Sequence, residues 1–254
     1  MPTRDWNATS YDAISAPQQA WGATVLERLE LTGDEVVLDA GCGTGRVTEL
    51  LLARLPRGRV VAVDGSLAMA ELARSRLDPK RVEVICSDLL ELELPERLDA
   101  AISTATFHWI LDHDALFARI RAVLRDGAQF VAQCGGVGNI DRARRIGAEL
   151  AGRAPYGEHL AALGPLWNYA TVEETTERLE RAGFEVAACW LEPQPTTPPN
   201  PREYLASVIF APYLERLPEA LREHYLDELV AALGDPLVLD YVRLNMTAVA
   251  AEVA

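Results

Sequence analysis

The sequence predicts an α/β fold built on a doubly wound, mostly parallel sheet, and three observations carry that expectation. Short continuous apolar runs at 35–40, 59–63, 82–86, 98–103 and 128–134 alternate with segments of helical spacing. Strands buried on both faces read as unbroken apolar runs, and such strands separated by helices form a parallel sheet with helices wound right-handedly onto both faces. The glycines of Gly41–Gly45, then Asp64, Asp88 and Ser103-Thr104, all fall at the C-terminal ends of these runs, the edge where such sheets bind ligands. The length of 254 residues and a hydrophobic content of 49% are enough for one substantial core.

The elements follow in order. Residues 18–31 have helical spacing; 35–40 form the first strand; 46–55 form a helix with Leu50, Leu51 and Leu55 on its apolar side. The second strand, 59–63, ends at Asp64, and a helix over 67–77 stops before Pro79. The third strand is 82–86 and the fourth 98–103. A helix over 114–124 is expected to end at Asp126-Gly127, ahead of the fifth strand, 128–134. Thr171-Val172-Glu173-Glu174 has the pattern of a capping box, opening a helix that ends at Ala182-Gly183. Residues 184–191 read as a sixth strand, the proline-rich 193–201 as a linker, 202–233 as helices broken near Pro212 and Pro218, and 239–249 as a last strand closing the sheet. The chain thus reads as a single domain over 1–254, with helical insertions at 138–170 and 193–236 that could fold over the sheet edge as a lid.

The net charge of −14 disfavours phosphate backbones and anionic membranes as partners, and no apolar run approaches the ~20 residues needed to span a bilayer. Cys42, Cys86, Cys134 and Cys189 are scattered without a CxxC and read as reduced residues of a cytoplasmic protein, and the N-terminus shows no secretory apolar stretch. The expected partner is a small molecule. The composition leaves monomer and homodimer open.

The stretch Val36–Gly45 reads VVLDAGCGTG. Its glycines permit a sharp turn and close backbone approach, and the following helix offers free N–H groups. A dinucleotide site would read G-x-G-x-x-G, but here the third glycine comes one place early and Arg46 follows it. Asp39, two residues before the first glycine, suits a cationic ligand better than a pyrophosphate, so the loop reads as built for a nucleoside without phosphates. Asp64 is placed to accept both ribose hydroxyls. Asp88 is placed to accept from an exocyclic adenine amine, with Leu89 and Met69 as apolar cover.

Taken together, DAGCGTG, VAVDGS, CSDLLEL and DAAISTATFHWI resemble the class I S-adenosylmethionine-dependent methyltransferases. Within them the likeness is to trans-aconitate methyltransferase-like enzymes and malonyl-carrier-protein methyltransferases, through Trp6-Asn7, Tyr11-Asp12, Phe107-His108-Trp109 and LPEALREHYLDEL. The resemblance implies a Rossmann-like seven-stranded sheet with an antiparallel last strand. It implies S-adenosylmethionine as cofactor, with Asp39, Gly41, Cys42, Gly43 and Gly45 around methionine and ribose. It places Asp64, Gly65, Ser66 and Met69 at the ribose, and Ser87, Asp88 and Leu89 at adenine. Ser103, Thr104 and Trp109 fall near the methionine end, with Tyr11 capping the site. Many relatives carry asparagine where Thr104 stands and glutamine where His108 stands, a departure that bears on the substrate.

The implied reaction is methyl transfer to a small molecule, most simply O-methylation of a carboxylate or hydroxyl; N- or C-methylation and non-catalytic cofactor binding are the alternatives. A carboxylate acceptor is already ionised, whereas a phenol, amine or activated carbon benefits from a base, for which His108 and then Tyr11 are the candidates. His108 reads equally as a hydrogen-bonded histidine behind the site. Asp112-His113-Asp114 reads as capping acids at a helix start, not as a metal site. Arg243 is expected at the surface, the alternative being contact with a carboxylate substrate. An NAD-dependent oxidoreductase is disfavoured by the early third glycine, and a nucleic-acid methyltransferase by charge and by STATFHW standing where an NPPY-like motif would be.

Overall fold

A computed structural model describes residues 8, 12 and 16–252. Seven strands, β1 Val36–Ala40, β2 Arg59–Asp64, β3 Val82–Cys86, β4 Leu98–Thr104, β5 Leu124–Gly135, β6 Phe184–Pro193 and β7 Val242–Ala250, form one sheet in the order β3-β2-β1-β4-β5-β7-β6. The first five run parallel, and β7 is antiparallel to both β5 and β6. The order reverses between β1 and β4, so the crevice outside their C-terminal ends is where a ligand is expected.

Both sheet faces are buried, which is why the strands are unbroken apolar runs. Val37 and Val60 face one core with Val25, Leu29 and Leu51, while their neighbours Leu38 and Val61 face another with Phe117, Ile120 and Phe130. Helices α1 (Ala16–Leu26), α2 (Arg46–Ala53) and α3 (Leu67–Arg76) supply the first core, and α4 (His113–Ala122) and α6 (Val172–Arg181) the second. Each of these aliphatic side chains contributes roughly 1.5–3 kcal/mol by leaving water. The capping box of α6 is present: Thr171 Oγ accepts from the Glu174 N–H, and Glu174 accepts from the Thr171 N–H. Asp112 caps α4, accepting from the Ala115 N–H at 2.9 Å.

The two insertions share a third core. Helices α5 (Asp141–Ala151), α7 (Ala211–Arg216) and α8 (Glu219–Leu233) bury Leu150, Phe210, Tyr213, Tyr225 and Leu229 together. Tyr225 donates its hydroxyl to Gly147 O at 2.9 Å, and a Cβ on Gly147 would lie 2.2 Å from the Phe210 ring. That glycine is therefore what lets α5 approach the rest of the helical layer.

The structure corrects several sequence expectations. α1 stops at Leu26 because the following segment runs along β5 instead, with the Glu30 N–H donating to Gln129 Oε1 and Gln129 Nε2 donating to Glu30 O. Asp126-Gly127 lies inside β5, not at a helix end; Leu124 already pairs with Leu98, the register then shifts, and Gly127 takes a φ of 79° in the irregularity. The last strand is antiparallel, as expected, and lies between β5 and β6. Within the proline-rich stretch, Thr196 pairs antiparallel with Leu239. The helical break near Pro212 is a π turn over Leu205–Ile209, closed by the Phe210 N–H on Leu205 O at 2.7 Å, and Pro212 instead lies in the first turn of α7.

Candidate active site

The glycine loop leaves β1 and enters α2, with the N–H groups of Gly41 and Cys42 both donating to Val63 O. Its three glycines serve different ends. A Cβ on Gly41 would meet the Thr106 side chain at 2.2 Å, and one on Gly45 would meet Leu77 at 2.9 Å. Gly43, at φ 54°, has no atom of the described residues within 4 Å of that position. Two glycines thus allow close packing, and the third opens on space that a ligand can fill. Cys42 is a buried thiol whose pKa burial pushes well up, so it packs and does not react.

The other predicted residues lie along the same sheet edge and tie it together. Asp64 accepts from the Gly43 N–H at 2.8 Å and from the Ser66 N–H at 2.9 Å, and the Ser87 N–H donates to Asp64 O. Gly65 lies in that turn, and Ser66 caps α3 by accepting from the Met69 N–H. Asp88 accepts from the Leu90 N–H and opens a single 3-10 turn, while Leu89 and Met69 are buried. The Ser103 hydroxyl donates to Ala40 O at 2.6 Å, joining β4 to β1, with Thr104 the last residue of β4. Tyr11, Trp6 and Asn7 lie outside the described residues.

Asp39 is fully buried. Its Oδ2 accepts from the Thr48 hydroxyl at 2.6 Å, and its Oδ1 has no partner among the described residues. Burial, opposed by the Thr48 hydrogen bond and reinforced by the Asp64 charge, raises its pKa to about 6. A desolvated carboxylate with an orphan oxygen beside an open glycine loop fits a ligand that brings positive charge.

Asp12 joins the site without having been foreseen. It accepts from the Thr44 hydroxyl at 2.5 Å, from Arg46 Nε at 2.7 Å and from Arg76 Nη2 at 2.9 Å. These bonds, that of Arg46 first, hold its carboxyl well below the usual carboxylate range. Asp12 thereby links the glycine loop to α3. No local pattern links positions 12, 46 and 76, so only the fold reveals it.

Beyond β4 a cavity of about 390 Å³, counting its open mouth, lies between the sheet edge and the helical layer. Ala105, His108 and Trp109 line it from the β4 side, Trp167 and Tyr169 from the first insertion, Val208 and Ile209 from the π turn, and Tyr241 and Arg243 from the approach to and start of β7. Gln18, Asn139 and Ile140 complete the lining, and among the described residues no carboxylate lines it. Ala105 and Ile140 both have positive φ, 55° and 47°, a strained conformation that clusters at functional sites.

Two cavity residues have unusual electrostatic surroundings. His108 Nδ1 accepts from the Gly135 N–H at 3.3 Å, which leaves the proton on Nε2. Burial first, then the Arg243 charge, keep the imidazole neutral by lowering its pKa well below the ordinary value. Arg243, expected at the surface, is instead buried at 1% exposure, because β7 is an interior strand. Its guanidinium lies over the Trp21 ring at 4.6 Å, Nε reaches Gln133 Oε1 at 3.4 Å, and Nη2 has no partner among the described residues. Glu192, its cross-strand neighbour, is turned to Asn245 and Gln194, and no described acid forms an ion pair with Arg243. The groups whose charge bears on it are the Cys134 thiol and the Tyr241, Tyr169 and Tyr204 phenols.

A family model described as a methyltransferase domain matches residues 37–127. An uncharacterized methyltransferase of Schizosaccharomyces pombe is 30% identical over 193 residues, 73% of each chain. The chain belongs to the class I S-adenosylmethionine-dependent methyltransferases. A trans-aconitate 2-methyltransferase of Acidovorax sp. (strain JS42) is 27% identical over 236 residues, 91% of this chain and 90% of that one. A malonyl-[acyl-carrier protein] O-methyltransferase of Acetivibrio thermocellus is 43% identical over 108 residues, 42% of this chain. That match spans only 38% of the relative's length. Among the described residues, no helix is long and apolar enough to cross a membrane.

Proposed function

We propose that this chain transfers a methyl group from S-adenosylmethionine to a carboxylate of a small organic acid. The observation that carries this reading is Arg243, a buried guanidinium without an acid partner, lining the cavity next to the cofactor edge. Burying an unpaired charge costs several kcal/mol, and a substrate carboxylate would supply the missing partner and hydrogen-bond acceptors. The likeness to a trans-aconitate 2-methyltransferase, over 91% of this chain and 90% of that one, supports the same substrate class. The four free cysteines suit a cytoplasmic setting.

Asp39 and the loop around Gly43 would hold the methionine portion, Asp64 the ribose hydroxyls, and Asp88 with Leu89 and Met69 the adenine. When bound, the cofactor supplies a sulfonium-activated methyl group for an SN2-like transfer. The chain's own residues then have three tasks. Arg243 orients an acceptor that arrives already ionised. The aromatic walls exclude water, which strengthens that ion pair. His108, carrying its proton on Nε2, donates a hydrogen bond into the cavity. A donor role for His108, not the base role, fits a pocket whose phenols Tyr169 and Tyr241 are also held in their protonated forms by burial.

Three measurements test this. A screen of small carboxylic acids, phenols and amines, read as S-adenosylhomocysteine formation, should give turnover on acids alone; turnover confined to phenols or amines would refute it. His108→Gln keeps a donor but cannot take up a proton, so kcat/KM should fall by no more than roughly tenfold. A loss of about 10²–10⁴ would instead mark His108 as a base. Gly43→Ala should leave the ligand-free fold standing at a cost of about 1–2 kcal/mol for the positive φ, yet weaken S-adenosylhomocysteine binding. Gly41→Ala should destabilise the fold itself through Thr106. Thermal melts beside calorimetric titrations separate the two effects.

A further inference from the structure

Among the described residues, two of the buried polar atoms left without a hydrogen-bond partner belong to side chains that line the cavity: Arg243 Nη2 and Gln18 Oε1. The first is a donor and the second an acceptor, and the proposed chemistry uses only the first. Gln18 lies in the first turn of α1, three residues before Trp21, so the two side chains share one face of that helix. Trp21 covers Arg243 at 4.6 Å and meets the Tyr241 ring edge-on, with centroids 5.0 Å apart. Gln18 Nε2 donates to the Tyr204 hydroxyl, which bonds to the Tyr241 hydroxyl at 2.7 Å. The amide is thus held between α1, the second insertion and the approach to β7, on the same wall as Arg243. With its N–H end committed to Tyr204, the carbonyl is the end left bare. Asn139, by contrast, is satisfied: its Oδ1 accepts from the Val242 N–H at 3.0 Å, and its side chain bonds to the Tyr169 phenol. His108 presents a donor and is neutral, so Arg243 is the one charged side chain of the described lining.

We infer that the acceptor is a monocarboxylic acid with a hydroxyl group near its carboxylate, the carboxylate resting on Arg243 and the hydroxyl donating to Gln18 Oε1. This rests on the carboxylate reading above and adds a specificity-determining residue to it. Leaving a buried acceptor without a donor is costly, so a site built around one rejects an analogue that lacks the donor much more strongly than it rejects a change of one methylene. A second carboxylate would find no second cation in the described lining. An amine would bring its own positive charge beside Arg243. A hydroxyl donates without bringing charge, which suits a wall whose remaining groups are aromatic and aliphatic.

The test uses monocarboxylic acids of four to six carbons in three forms, with a hydroxyl at C2 or C3, with its methyl ether, or with hydrogen alone at that carbon, together with the full chain and S-adenosylmethionine. The wild type should favour the best hydroxy acid over both its ether and its deoxy form by at least tenfold in kcat/KM. Gln18→Met should raise KM for the hydroxy acid by roughly ten- to a hundredfold, leave kcat and the deoxy-acid KM nearly unchanged, and so erase the preference. Tyr204→Phe keeps the Gln18 carbonyl and should retain part of the preference. A melting temperature of Gln18→Met within a few degrees of wild type shows that α1 still packs, and the wild-type comparison stands whether or not that variant folds. A wild type that treats the three forms alike, or takes the ether as well as the alcohol, overturns the inference while leaving the carboxylate reading intact. An equal loss on hydroxy and deoxy acids in Gln18→Met does the same. No turnover on any acid by the wild type overturns the carboxylate reading, and this inference with it.

Discussion

Replacing Arg243 with methionine should make the ligand-free protein more stable while removing its turnover on acids. The side chain is completely enclosed, its Nη2 lacks a partner, and its compensation consists of the Trp21 face at 4.6 Å, the Tyr241 face at 5.8 Å and one long bond to Gln133. Cation–π contacts in a dry setting return about 2 kcal/mol, less than the desolvation of an unpaired ion. Methionine fills similar volume without that cost, so a gain of about 1–4 kcal/mol is expected, read as a rise of several degrees in Tm. Activity should move the other way. Loss of a buried charge partner for a carboxylate costs roughly 2–5 kcal/mol, between about thirtyfold and several thousandfold in kcat/KM. S-adenosylhomocysteine affinity should hold, since the Arg243 side chain bonds to Gln133 and stacks on Trp21 and Tyr241, not on the residues proposed to hold the cofactor. A variant that is both less stable and fully active would show that Arg243 is structural.

How this residue escaped the sequence shows where local reading ends. The run β1 to β4 is legible because its code is local: apolar stretches both of whose faces are buried, each stopped by a glycine, an acid or a serine at the same edge. Asp39, Gly43, Asp64 and Asp88 were found that way, and the structure brings them to one rim. The place of β7 is decided by pairing at long range, which leaves no local trace. In Val242–Ala250, Arg243 and Asn245 alternate with Leu244 and Met246, the pattern of a strand with one wet face. Because β6 lies beyond β7 and Trp21 of α1 stacks over Arg243, that polar face is interior. The positive φ at Ala105 and Ile140, and the π turn that holds Val208, are likewise imposed by packing, since neither alanine nor isoleucine favours a positive φ.

Asp39→Asn should separate the stability of the empty fold from its affinity for cofactor. The Asp39 carboxyl has a pKa of about 6 in the folded chain against an ordinary 3.8, chiefly because it is buried. Below about pH 4 the group is protonated whether the chain is folded or not, and it contributes nothing. As pH rises, the unfolded chain ionises first, so the fold loses stability progressively up to about pH 6, and the loss then levels at about 3 kcal/mol. Asparagine removes this: its carbonyl still accepts from the Thr48 hydroxyl, and no charge is buried. Urea melts at pH 4.5 and 7.5 should therefore show the variant gaining about 1–3 kcal/mol over wild type at the higher pH and little at the lower. Cofactor binding should respond oppositely, because the orphan Oδ1 and its charge are what the loop offers a cationic ligand. S-adenosylmethionine affinity should fall by roughly ten- to a hundredfold in the variant, as expected for a lost charged contact. Near pH 6, where the free wild type is about half protonated at Asp39, it should release about half a proton on binding and the variant none, seen as a buffer-dependent heat in calorimetry. Equal pH profiles for the two proteins would mean that Asp39 is solvated or paired, and the cation-binding role of the glycine loop would lose its physical basis.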